Sequence, residues 1–119
     1  MINLTKVSLV KCTNYSKEDI RNAVDKTFSF FGGIENVIKK GSKVLLKPNF
    51  LRESSPRKCI ITHPVVIETV AEMVLEAGAT PIIGDSPGFG SVRKVARRVG
   101  LDKVAEKLGI DIIELDKPR

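Results

Sequence analysis

The chain has little of what makes a function easy to name. Among 119 residues there are two cysteines, one histidine, one tyrosine and no tryptophan. Cys12 and Cys59 are too far apart for a CxxC pair, and two thiols cannot by themselves hold a four-cysteine cluster or a structural zinc. Nothing in the composition points to an oxidising compartment, so no disulfide is expected. No apolar run approaches the ~20 residues needed to cross a bilayer, and Lys6 and Lys11 break the first apolar stretch. The start of the sequence also lacks a charged-then-apolar leader with a small-residue cleavage site. The expectation is a cytoplasmic protein with no membrane partner.

What remains is ordinary for a globular domain. Residues 1–119 read as a single domain, long enough to bury roughly two thirds of the surface its unfolded chain exposes. The formal net charge is +6, and it is unevenly placed. Residues 39–58 carry Lys39, Lys40, Lys43, Lys47, Arg52, Arg57 and Lys58 against Glu53 alone. Residues 59–90 carry only Glu68, Glu72, Glu76 and Asp85. Residues 91–107 are basic again, with six cations against Asp102 and Glu106. Such blocks either mark an anion-binding or nucleic-acid surface or pair with one another inside the fold. Readers of nucleic acid usually stack bases on aromatic rings. Here the phenylalanines Phe28, Phe30 and Phe31 read as core, so nucleic acid is a disfavoured partner.

Periodicity and punctuation give an element order. Val7 to Val10 reads as a buried strand. Ser16 is a helix N-cap with Asp19 in an imperfect capping box, and the helix it opens stops at Gly32-Gly33. Lys43-Val44-Leu45-Leu46-Lys47 is a short strand, and residues 50–59 have loop character. Pro64 suits the first position of a helix that runs to about Ala77. On that helix Glu68, Glu72 and Glu76 share one face, so a basic segment or a partner should lie nearby. Pro81 to Gly84 is the next strand. Helices over Val92–Val99 and Leu101–Leu108 follow, each closed by a glycine, and Ile110–Leu115 is the last strand. This order predicts an α/β domain: a mainly parallel sheet with helices on both faces, Rossmann-like and three-layered.

Three polar motifs sit where strands give out: Lys47-Pro48-Asn49, Thr62-His63-Pro64 and Gly84-Asp85-Ser86-Pro87-Gly88-Phe89-Gly90. In an open parallel sheet the strand C-terminal ends share one edge, and ligands bind in the crevice there. Lys47 offers a compact positive charge, and Asn49 can donate and accept. Gly84, Gly88 and Gly90 let backbone N–H groups approach a ligand, and the helix start that follows favours an anion. The loop is neither a Walker sequence nor GxGxxG. Asp85 repels a phosphate, so it contacts a cation, takes a hydroxyl or amine, or ties down its own loop. His63 is a helix-capping residue or, in its neutral form, a metal ligand or general base. Lys11, Cys12 and Tyr15 follow the first strand and could join the same edge.

These motifs in order resemble the prokaryotic domain-of-unknown-function family 362. The resemblance rests on Val7 to Cys12 with Tyr15, Gly32-Gly33-Ile34, Lys40 to Asn49, Thr62-His63-Pro64, Gly78-Ala79, Gly84 to Gly88 and Gly100-Leu101. It implies an iron–sulfur-linked redox or metabolic setting, because many members carry a cysteine-rich ferredoxin-like segment after the α/β part. This sequence has no such segment. A 4Fe-4S cluster is therefore expected only in a missing segment or a partner chain, with no metal or cofactor in this one.

The leading expectation is a domain that binds a small anionic ligand through Lys47, Asn49, Thr62, His63, Asp85, Ser86, Gly88 and Gly90. The alternatives are an enzyme completed by a separate iron–sulfur partner, with His63 and Asp85 as catalytic candidates, and a basic nucleic-acid-binding module. Self-association is the other partner expected.

Overall fold

A computed structural model describes residues 4–49, 62–86 and 91–115. Helix α1 (Lys17–Ser29) starts where Ser16 accepts the Asp19 N–H at 3.2 Å. A short helix α2 (Ile34–Val37), which periodicity does not reveal, follows the paired glycines. Strand β1 (Lys43–Leu46) leads to helix α3 (Pro64–Glu76) and strand β2 (Thr80–Asp85). Helices α4 (Val92–Val99) and α5 (Leu101–Leu108) then return the chain to strand β3 (Asp111–Glu114). Gly100 separates those two helices in the left-handed region, at φ 84°, which glycine adopts without a Cβ penalty.

The three strands form one parallel sheet in the order β1-β2-β3. The α/β class and the parallel sheet are as expected. Leu46, Ile83 and Ile112 stand side by side in register on one face. Helices α3, α4 and α5 enclose that face, with Ile67, Ala71, Val92, Val95, Ala96, Leu101 and Ala105 packed around Ile83. A second cluster over β1 joins Met73 and Val74 of α3 to Ile34, with Val24 and Phe28 of α1 at its margin. Helix α3 is the hub of both, and even its Thr69 is fully buried, its hydroxyl donating to the Val65 carbonyl at 2.7 Å. The opposite face carries Leu45, Ile82, Gly84 and Ile113, and two of these large side chains stay open to solvent.

Two expectations fail. Residues 4–15 form no strand, and Val7 and Leu9 are exposed. A strand is made by its neighbour, and among the described residues the segment has none. It runs instead beside α1, where Val10, Lys11, Cys12 and Thr13 share a hollow with Asn22, Ala23 and Lys26. Phe30 is also not core: α1 ends just before it, and the C-cap residue turns outward with its ring edge-on to Phe31.

The acidic stripe of α3 finds its partners in α1 and α5. Lys17 bonds Glu72 at 2.6 Å and Glu68 at 3.3 Å, and Lys107 bonds Glu68 at 3.2 Å. Arg21 grips Glu76 with two bonds of 3.0 and 2.6 Å. Burial pushes the Glu68 carboxyl up, but the bonds from Lys107 and Lys17 outweigh it and hold the group below its usual range. The Arg21 bond does the same for Glu76, against a smaller opposing effect of burial.

Candidate functional site

The C-terminal ends of β1 and β2 bring the sequence motifs together. Lys47 leaves β1 and its ammonium lies 2.8 Å from Asp85 Oδ1 at the end of β2. The pair is lopsided, with the lysine side chain 61% exposed and the aspartate 5%. Asp85, whose role the sequence left open, here meets an ammonium of its own chain. Lys47 thus helps to neutralise a buried carboxylate at the strand end.

Asn49 and Thr62 join the next two motifs by reciprocal bonds. The Asn49 N–H donates to Thr62 Oγ1 at 2.8 Å, and the Thr62 N–H donates to the Asn49 carbonyl at 3.2 Å. This clasp sets His63 at the head of α3. His63 is the N-cap, with extended backbone as expected before proline, and Pro64 takes the first helical position. The Val65 N–H donates to His63 Nδ1 at 3.2 Å. An accepting Nδ1 puts the proton of the neutral imidazole on Nε2. Burial lowers the pKa of His63, which favours the same neutral form.

Tyr15 completes the cluster from the other side. Its ring lies parallel to the His63 ring, 3.9 Å between centroids and 10° between planes. Tyr15 thus joins the edge, as the sequence suggested. Lys11 and Cys12 do not, because they line the hollow beside α1. Ser86 is exposed just past Asp85. Gly88 and Gly90 lie outside the described residues.

The start of α4 holds a residue that the sequence reading did not single out. Glu114, at the end of β3, is the register partner of Asp85, and its Oε1 accepts the Val92 N–H at 3.1 Å. Ser91 Oγ accepts the Lys94 N–H at 3.2 Å. Two helix donors read from the sequence as open to an anion are thus met by a carboxylate and a hydroxyl of the chain itself. The signal was the end of the last strand, which meets the same edge as Asp85 in a parallel sheet.

The arrangement divides into committed acceptors and available donors. Asp85 and Glu114 are engaged within the fold. Lys47 has three donors and an exposed side chain, His63 carries its proton on Nε2, and Ser86 is an exposed residue with a hydroxyl donor. Among the described residues, no group of three or more His, Cys, Asp or Glu side chains is placed to hold a metal. Cys12, exposed with its thiol donating to the Asn14 carbonyl at 3.3 Å, does not fit a cluster site. No helix among these residues is long and apolar enough to cross a membrane.

Comparison with known proteins gives a family and one curated relative. The sequence profile of a domain of unknown function (DUF362) matches residues 44–119. The thylakoid-associated protein sll1697 of Synechocystis is 40% identical over 108 residues, covering 91% of this chain and 34% of the relative. The chain therefore spans about a third of the length of the curated relative it matches. No solved structure matches.

Proposed function

The chain belongs to the DUF362 family, and on that premise we propose that its strand-end cluster binds a small ligand bearing a phosphate or carboxylate. The observation that carries the reading is the Lys47–Asp85 pair, in which a mostly exposed ammonium stands on a buried carboxylate. Lys47 anchors the ligand's charge, and His63 Nε2–H and the Ser86 hydroxyl add neutral donors. Asn49 and Thr62 hold His63 in place. Gly88 and Gly90, which follow Ser86 in the sequence, remain part of the proposed site. A cytoplasmic location and a redox or metabolic setting, with any iron–sulfur cluster supplied by another polypeptide, belong to the same proposal.

Because Asp85 already takes part of the lysine's charge, affinity for a lone anion is modest. Thermal unfolding with inorganic phosphate, nucleotides and small carboxylates tests this. A ligand at a hundred times its Kd stabilises by about 2.7 kcal/mol. Lys47→Ala should remove that stabilisation. Asp85→Asn, which frees the lysine, should lower the melting temperature of the free protein yet enlarge the ligand-induced rise. A folded protein that no anion in the series stabilises overturns the reading.

A further inference from the structure

Two cations and two anions line one hollow between α4, α5 and β3. Arg93 and Arg97 stand about one turn apart on α4. Asp102 lies in the first turn of α5, and Asp111 begins β3. Ile110 and Ile112 supply an apolar wall. The volume is about 290 Å³, at the low end for a small-molecule site. The hollow sits toward the start of β3 and shares no residue with the strand-end cluster.

These charges lack the pairing that elsewhere accompanies such groups. The ion pairs of the described residues lie in other places, and none joins these arginines to these aspartates. Among the described residues, Oδ1 of Asp102 is the one buried side-chain polar atom without a hydrogen-bond partner. Buried polar atoms are normally satisfied, so this exception calls for a counterpart. The first arginine is also placed against local preference. Arg93 lies in the first turn of α4, where the helix dipole disfavours a cation, and it repels Arg97 four residues on. Helix α4 has no acidic residue to offset either effect. Local rules broken without local compensation are expected where a ligand binds.

We propose that this hollow binds a small zwitterion, an α-amino acid with an apolar side chain. Its carboxylate meets the Arg93 and Arg97 guanidinium groups, which suit bidentate hydrogen bonding. Its ammonium brings a positive charge to Asp102 and Asp111, and its side chain lies on Ile110 and Ile112. A simple anion would also meet two carboxylates, and a simple cation two guanidinium groups. A molecule that carries both charges satisfies both sides. The inference is independent of the ligand proposed at the strand ends.

The test follows backbone amide resonances of the isotope-labelled chain during titration with glycine, alanine, valine, leucine, methionine and phenylalanine. The expected result is a saturable shift of the amides of Arg93, Arg97, Asp102 and Ile112 by at least one apolar member of the set. The N-acetyl and carboxamide forms of that amino acid, each lacking one charge, should bind at least about tenfold more weakly. Arg97→Gln and Asp102→Asn should weaken binding to a similar degree. Arg98→Gln removes an exposed α4 cation that does not line the hollow, and it should bind like the wild type. A folded chain whose hollow none of the six amino acids perturbs overturns the proposal. So do an N-acetyl form that binds as well as the free amino acid, which would mean a plain anion site, and a loss in Arg98→Gln equal to that in Arg97→Gln. Shifts confined to Lys47, His63 and Ser86 overturn it too, in favour of the strand-end cluster.

Discussion

The two faces of the sheet are built from the same three strands and differ in everything else. On one, Ile83 is fully buried under α3, α4 and α5. On the other, the neighbouring Gly84 lies beneath Leu45 and Ile113, both of which reach solvent. Alternation along a strand sets which side chains share a face, but only what lies above that face decides whether they contribute stability. An apolar residue in a strand is thus an offer of burial, taken up here more fully on one side.

The sharpest way to break this contrast is to truncate matched residues on each side. Ile83→Ala should cost about 2–5 kcal/mol through lost burial and a cavity, whereas Ile113→Ala should cost about 0.5 kcal/mol. Urea unfolding of both variants checks this, and equal losses would mean that the second face is packed after all. Gly84→Ala comes next. Its Cβ would stand 2.9 Å from Cγ1 of the β-branched Ile113, which is stiff at χ1, so about 1–3 kcal/mol is expected for overpacking.

Acid probes the strand-end edge where the two faces meet. His63 has a lowered pKa in the folded state, so the unfolded chain binds the proton more readily. Its contribution is full above the unfolded value of about 6.5, falls as pH drops below it, and levels off beneath the folded value. His63→Asn keeps an N-cap acceptor and should flatten the stability profile between about pH 7 and pH 5. An unchanged slope would remove His63 from the account.

The smallest effect belongs to the α1–α3 clamp. Arg21→Ala should cost a few tenths of a kcal/mol because Glu76 is largely exposed, and about 1 M salt should erase most of the difference. A loss that persists in salt would make the clamp a packing contact rather than an electrostatic one.

Much of the fold was legible because its punctuation is local. Ser16, Pro64, Gly100 and Gly109 act within one turn of themselves, and all mark helix ends where the sequence placed them. The stretch from Val7 to Val10 misled because a strand depends on a neighbour that no local pattern supplies. At the site, strand-end logic brought Lys47, Asn49, Thr62, His63 and Asp85 into one region. What it could not give was their pairing. Lys47 and Asp85 cancel part of each other's charge, and Glu114 occupies a helix start that glycine spacing had left open.

Tyr15 and His63 are the only residues of their kinds, and the chain has no tryptophan. Their rings lie in parallel contact. Near-ultraviolet absorbance and emission of the whole molecule, apart from the weak phenylalanine background, therefore come from one phenol resting on one imidazole. The protein carries its own optical gauge at the head of α3. Proton uptake at His63, docking of a ligand beside it, or release of residues 4–15 would each alter the signal without a label, and the three could be told apart by their dependence on pH, ligand and denaturant.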